Sequence, residues 1–187
     1  MLASLNLKAS ADEITVGIDV GYGFLDIGAD DTAQTIANIS GSTVTASYDT
    51  GAFFGRIYGD YKISDSIYVD VGLFMTGDVT AKYTLSGATA SESYSASGVD
   101  VSAVLKEDEK EGLFVKGGFH SSTVDGNANV TISGTTYAAS AAASGIGYLF
   151  GGGYDYADGS RAGVTYYSDL GGQVKADMWL IYYGFRF

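Results

Sequence analysis

The last ten residues, MWLIYYGFRF (178–187), constrain the fold more than any other stretch of the chain. Large apolar side chains occupy every second position there. In a β-strand, side chains two residues apart lie on the same face, so this segment is predicted to be a strand with one wholly apolar face. Chain termini usually fray into water, and such a face is expected at a terminus only where something other than water covers it.

The same alternation recurs along the chain, whereas helical periodicity is almost absent. In the first segment, for example, Ile14, Val16 and Ile18 alternate with Thr15 and Gly17. The sequence therefore predicts an all-β fold. The eight predicted strands lie within 13–24, 51–61, 66–78, 98–105, 112–120, 144–156, 161–167 and 178–187.

The connections between these strands alternate in length. Short polar turns are predicted at 63–66, 106–111 and 157–160, and a brief connection near 170–172. Three longer segments rich in Gly, Ser, Thr, Asn and Asp are predicted as loops: 25–45, 85–93 and 121–140. The segment 121–140 is also compatible with a hairpin that extends beyond the membrane. Short turns on one side and long loops on the other are typical of outer-membrane barrels.

No apolar run approaches the length of about 18 residues that a membrane-spanning helix needs. A sheet can cross a bilayer only when it closes, because every backbone amide must be paired inside the protein. We therefore predict an eight-stranded antiparallel up-and-down transmembrane β-barrel over residues 12–187. Residues 1–11 are excluded from the barrel as a leader or disordered N-terminus, since Ala9-Ser10-Ala11 has the pattern of an export-signal cleavage site.

The faces opposite the apolar ones carry charges, which predicts that the apolar faces point outward to lipid and the charges point into the lumen. The predicted inward charged set is Asp19, Arg56, Asp60, Asp70, Asp100, Lys116, His120 and Arg186. Counting from the turns predicts lumen ion pairs between Asp19 and Arg56 and between Asp100 and Lys116, with Asp70 nearby. A barrel of eight strands is just wide enough for side chains to fill. Bulky inward side chains opposite glycines are expected to fill it, namely Phe54, Tyr58, Tyr68, Phe74, Phe114, Tyr167 and Tyr182.

Two features carry a resemblance to a known family. The chain ends on Phe187 with aromatic or apolar residues at alternate positions, which resembles the C-terminal assembly signal of bacterial outer-membrane proteins: Trp179, Ile181, Tyr183, Phe185 and Phe187. IYVDVGLFMTGD resembles the third strand of the family that includes the transmembrane domain of outer-membrane protein A and its single-domain relatives, with Asp70 at the place of an acidic lumen residue. This resemblance implies insertion into the outer membrane of a Gram-negative bacterium by the barrel-assembly machinery.

Composition excludes several classes of function. The net charge of −12 argues against nucleic-acid binding. The absence of cysteine and the single histidine exclude thiol chemistry and His-rich metal centres, so no cofactor or metal is predicted. In FHSST, His120 and Ser122 resemble part of the His-x-Ser-Asn motif of outer-membrane lipid deacylases. Thr123 replaces the asparagine, however, and no third triad member is evident.

The sequence thus predicts a non-enzymatic protein with a structural or surface-interaction role through its extracellular loops. Its expected surroundings are outer-membrane lipid, lipopolysaccharide and an unknown extracellular partner, and it is expected to be monomeric. The alternatives are a small-solute or ion pore, a lipid-modifying enzyme that uses His120, and a soluble ligand-binding barrel with its apolar faces turned inward.

Overall fold

The computed structural model describes residues 14–172 and 176–187. The first predicted boundary, between residues 11 and 12, lies outside the described residues. Within them, the chain forms ten antiparallel strands and one helix. Their bounds are β1 Ile14–Asp26, α1 Ala29–Ser40, β2 Thr45–Asp49, β3 Gly51–Lys62, β4 Ile67–Thr76, β5 Val79–Leu85, β6 Ala88–Lys106, β7 Gly112–Ile132, β8 Thr135–Asp155, β9 Ser160–Leu170 and β10 Ala176–Arg186.

Eight of these strands form a closed ring, in the order β1, β3, β4, β6, β7, β8, β9 and β10. The ring closes because β1 pairs with β10 on one side and with β3 on the other, for example Val20 with Tyr183 and with Gly55. Each strand of the ring is antiparallel to its neighbours. The predicted eight-stranded antiparallel barrel is confirmed, and its last strand seals the cylinder against the first.

The faces of the strands follow the predicted alternation. Trp179 is 51% exposed, Val71 53% and Val115 56%, whereas Asp70 is 0% and Lys116 6% exposed. Large apolar side chains therefore form an outward belt around the cylinder, whereas the charged side chains lie inside it among buried aromatic and aliphatic ones. The outward direction of the apolar faces is opposite to that expected for a soluble barrel with its apolar faces turned inward.

Three segments predicted as loops have regular structure. Segment 25–45 contains α1, which the sequence analysis missed, and 85–93 contains the tight turn at Ser86 and Gly87 between β5 and β6. Segment 121–140 lies in the β7–β8 hairpin, whose tip is Ser133 and Gly134, both with positive φ. Positive φ at both central residues is the geometry of a type I′ turn, which matches the twist of the flanking strands. The predicted extension of this hairpin beyond the barrel is present.

A five-stranded sheet projects from one end of the barrel. It consists of β2, β5, the first part of β6 (88–94), the last part of β7 (126–132) and the first part of β8 (135–141), in that spatial order. We call it the protruding sheet. The short turns and the C-terminus lie at the opposite end of the barrel. None of the described residues forms a helix long and apolar enough to cross a membrane.

Candidate functional site

The barrel interior holds a cluster of charges centred on Arg56 of β3. Its guanidinium donates to three carboxylates: Nε to Asp100 Oδ2 at 2.9 Å, Nη1 to Asp19 Oδ2 at 3.3 Å and to Asp70 Oδ2 at 3.3 Å. Nη2 donates to the other oxygens of Asp70 and Asp100. A guanidinium has five N–H donors, so these five hydrogen bonds use its full donor capacity.

A second arginine, Arg161 of β9, completes this central cluster. Its Nε and Nη2 donate to the two carboxylate oxygens of Asp19 at 2.9 and 2.8 Å. Arg161 was not among the predicted lumen residues, although it lies six residues before the inward Tyr167 and therefore on the same face of the strand. The inward direction of Arg161 was not predicted because the alternation in this segment is irregular.

Lys116 lies beside this cluster with its Nζ 5.3 Å from the centre of the Tyr182 ring. Formal charges in the interior balance, since Arg56, Arg161 and Lys116 oppose Asp19, Asp70 and Asp100.

Only one of the two predicted ion pairs is formed. Asp19 lies directly opposite Arg56 in the register and contacts it. The predicted pair of Asp100 with Lys116 is wrong, because Asp100 is opposite His120 and Lys116 is opposite Val104. The carboxylate of Asp100 is instead bound by Arg56, and it accepts a hydrogen bond from the Tyr167 hydroxyl at 3.0 Å.

A second ionic cluster lies at the end of the barrel that carries the short turns. Lys106 Nζ lies 3.1 Å from Asp60 Oδ2 and 3.4 Å from Asp155 Oδ2. Arg186 Nη1 lies 3.1 Å from the same Asp155 oxygen. Lys106 and Asp155 were also missed, although each continues an inward alternation: Lys106 follows Asp100 by six residues and was interpreted as part of a solvated turn.

The turn between β6 and β7 reaches across this end of the barrel. Arg186 of β10 donates to the backbone carbonyls of Glu109 at 3.5 Å and Lys110 at 3.2 Å. Strand β10 lies across the ring from β6 and β7, which this turn connects, so the turn lies over the opening. Lys62 of β3 binds Glu109 Oε2 at 2.7 Å and thereby holds the turn from a third strand.

Glycines and bulky side chains fit together in the interior as predicted. A Cβ built on Gly72 would lie 2.3 Å from Arg56 Nε, and one on Gly17 would lie 2.3 Å from the Tyr58 hydroxyl oxygen. All seven predicted filling residues are buried. The packed interior therefore leaves no room for a side chain at these two glycine positions.

His120 and Ser122 do not form a catalytic arrangement. Both are 2% exposed. His120 Nε2 donates to the carbonyl oxygen of Ser168 at 2.7 Å, and Ser122 Oγ accepts from the amide of Gly171 at 3.0 Å. His120 Nε2 and Ser122 Oγ are thus each engaged with backbone, whereas His120 Nδ1 is buried without a hydrogen-bond partner. The described residues contain no cluster of potential metal ligands.

The inner face of the protruding sheet carries α1. Ala33 and Ile36 of the helix pack against a small cluster that includes Ala81 and Tyr83 of β5. Nearby, Tyr94 donates to Glu92 Oε2 at 3.1 Å. Burial and the adjacent Glu92 carboxylate raise the pKa of Tyr94 to about 12, because both disfavour the phenolate.

No family model matches the chain, and no curated protein is significantly similar to it in sequence. Its fold is similar to that of Ail, the attachment invasion locus protein of Yersinia pestis, with a TM-score of 0.56 and 15% identity over 94% of this chain and 99% of that one. The chain has the fold of a small outer-membrane β-barrel. A structure of Ail in complex with the heparin analogue sucrose octasulfate gives a TM-score of 0.54 and 17% identity at the same coverage.

Proposed function

We propose that this chain is a non-enzymatic protein of the Gram-negative outer membrane and that its protruding sheet attaches the cell to an external surface. The protruding sheet is the observation that carries the proposal. It extends β6, β7 and β8 far beyond the ring and adds β2, β5 and α1, none of which the barrel needs for closure. Binding specificity commonly lies on such elements where a rigid scaffold supports them.

The apolar belt supports the membrane location. Charged lipid-facing residues destabilise barrels in a bilayer, whereas apolar ones are required there. The described strands present valine, isoleucine, leucine and aromatic side chains outward around the ring. The proposal includes the resemblance to outer-membrane protein A and its single-domain relatives. It also includes assembly through the C-terminal signal and a monomeric state.

The fold neighbour supports attachment but does not indicate the same ligand. Ail was solved with a sulfated heparin analogue, whereas this chain carries a net charge of −12. A polyanion would be repelled at long range by such a charge. We therefore expect this chain to recognise an uncharged or cationic surface.

We further propose that the interior does not conduct ions and that the two ionic clusters have a structural role. The packed interior, and the turn at 106–111 that lies over one opening of the barrel, support a non-conducting interior over the pore alternative. In planar bilayers, the wild-type chain should show no single-channel conductance. Steady conductance of the wild type would favour the pore.

Cysteine labelling tests location and orientation directly, because the natural chain has no cysteine. Ala139→Cys, at an exposed position of the protruding sheet, should react with a membrane-impermeant maleimide on intact cells. Asp108→Cys in the turn at the opposite end should react only after the outer membrane is permeabilised. Labelling of both positions on intact cells, or of neither, would contradict the proposed orientation.

Attachment is tested by shortening the β7–β8 hairpin. Residues 125–142 are replaced by Asn-Gly, which joins the paired residues Val124 and Ala143 through a tight turn. Cells that express this variant should lose adhesion to epithelial monolayers, while the barrel keeps its heat-modifiable gel mobility. Unchanged adhesion would contradict the attachment role without affecting the membrane assignment.

A further inference from the structure

The outer face of the protruding sheet is a regular array of small polar side chains. Its first row crosses all five strands and consists only of threonines: Thr45, Thr84, Thr89, Thr131 and Thr136. The second row is Ser47, Lys82, Ser91, Asn129 and Ala138, and the third again carries hydroxyl, amide and carboxylate groups. We call these three rows the hydroxyl face. Its hydroxyls come close enough to bond one another, since Thr131 Oγ1 lies 2.9 Å from Thr136 Oγ1.

The hydroxyl face continues the lipid-facing surface of the barrel. On β6, Val101 and Val99 are outward and exposed, and the same face then carries Ser97, followed at alternate positions by three further serines and Thr89. On β8, the exposed Ile146 gives way to Ser144 on the same face. The face that contacts acyl chains within the membrane therefore becomes a hydroxyl surface directly above it.

The height of this surface matches a long polar head group rather than the short one of a phospholipid. From Val99 to Thr89 the strand advances ten residues, which is about 33 Å along its axis at about 3.3 Å per residue. A phospholipid head group reaches only about 5–8 Å beyond the hydrocarbon, so only a lipid with an extended saccharide head group places polar atoms beside all three rows. Continuity with the belt thus identifies the neighbour as the head group of a lipid in the same leaflet.

The charges on the hydroxyl face indicate which part of such a head group it fits. Lys82 and Asp49 are its only ionisable side chains, so the face is neutral although the whole chain carries −12. A phosphate-rich head group would need clustered cations. Side chains that both donate and accept hydrogen bonds, without charge or large apolar groups, fit the hydroxyls of uncharged sugars.

We propose that the hydroxyl face binds the uncharged sugar residues of the glycolipid that surrounds the barrel in the outer leaflet. This inference rests on the proposed membrane location but not on attachment to an external surface. Neighbouring strands are about 4.8 Å apart, a repeat close to that of an extended pyranose chain. A saccharide lying across the strands meets one threonine hydroxyl at each step. The inner face, covered in part by α1, has no comparable row.

Spin labels test the proposal on both faces of the sheet. Ser91→Cys places a nitroxide in the centre of the hydroxyl face, and Ala139→Cys places one on the opposite, exposed face. The full chain is reconstituted into bilayers with lipopolysaccharide that carries its neutral polysaccharide, or with lipid A alone. Collision with a water-soluble nickel chelate should fall several-fold at Ser91→Cys with the full lipopolysaccharide only, and should change little at Ala139→Cys.

Threonine-to-valine substitutions supply the matched comparison. In the background of Ser91→Cys, the triple change Thr84→Val, Thr89→Val and Thr136→Val removes three hydroxyls from the first row and keeps the side-chain shape. Losing three hydrogen bonds should weaken saccharide binding at least about tenfold and restore collision with the chelate. Thr135→Val makes the same change on the opposite face, one residue from Thr136, and should restore nothing.

Equal protection of both faces, protection with lipid A alone, or protection that survives the triple change would each overturn the proposal. Heat-modifiable mobility of every variant establishes that it is folded. Quenching of Trp179 by brominated acyl chains establishes insertion separately. A failure of the hydroxyl-face proposal is thereby distinguished from a failure of the membrane assignment.

Discussion

Replacing Arg56 by methionine should be among the most damaging single substitutions in the barrel. The guanidinium donates five hydrogen bonds to three buried carboxylates. After the change, Asp19 keeps Arg161, whereas Asp70 loses its closest cation and Asp100 keeps only the Tyr167 hydroxyl. Removing one partner from a buried ionic group costs about 3–5 kcal/mol, because the remaining charge is left without compensation.

Equilibrium unfolding in urea with detergent micelles measures this loss, with Trp179 fluorescence and gel mobility as independent readouts. Lys62→Met is the control, since it breaks a pair with Glu109 in which the side chains are 25% and 58% exposed. A pair of this kind contributes roughly 0–1 kcal/mol. In the double variant Arg56→Met with Asp100→Asn, the cluster returns to formal neutrality and part of the lost stability should return. If the free energy of unfolding of Arg56→Met lay within about 1 kcal/mol of the wild-type value, the interior cluster would not have the structural role described above.

Two further substitutions test packing and lipid contact. Gly72→Ala should lower the free energy of unfolding by about 1–3 kcal/mol, because the new Cβ overlaps the Arg56 guanidinium. Gly59→Ala, where a Cβ meets nothing within 4 Å, should be neutral or slightly stabilising; equal losses for the two would refute the steric argument. Val71→Lys places a charge on the lipid-facing belt and should destabilise the barrel by about 2–4 kcal/mol in bilayers. Val130→Lys on the protruding sheet should change stability little, and similar losses at both sites would be inconsistent with a belt confined to the ring.

The eight strands of the ring could be predicted because period-two alternation survives in each of them. Val71 and Trp179 were assigned to lipid, and Asp70 to the interior, from parity alone. The same alternation also places Arg161, Lys106 and Asp155 on the inward face. They were overlooked because the alternation there was irregular or ended in a charged turn. More inward-pointing residues could therefore have been predicted from the sequence than were named.

The register between β6 and β7 does not follow from the sequence alone. Counting from the charged turn at 106–111 placed Asp100 beside Lys116, but the strands pair Lys106 with Phe114, which moves Lys116 to Val104. The pairing is shifted because Glu107 donates its amide to the Leu113 carbonyl and the rest of the turn reaches toward Arg186. Such a turn depends on a contact across the barrel, and local sequence does not contain it.

The helix α1 was missed for a related reason. Its sequence, ADDTAQTIANIS, is rich in residues that favour loops. Gly28 and Gly41 in left-handed conformation bound it, Asp30 and Asp31 in its first turn favour the helix dipole, and Ala33 and Ile36 pack on the protruding sheet. The helix thus depends on a sheet whose strands were assigned partly to loops and partly to no element, because they lack an apolar face wide enough to signal burial.

Fluorescence quenching of Trp179 tests most directly whether the apolar face of the barrel contacts hydrocarbon. It is the one tryptophan of the chain and lies half exposed on β10, so its emission reports a single outward position without any substitution. In bilayers whose phospholipids carry brominated acyl chains, its fluorescence should be strongly quenched, and aqueous iodide should have little effect. Efficient quenching by iodide with no response to brominated chains would mean that this face of the cylinder meets water, and the assignment of a transmembrane barrel would be wrong.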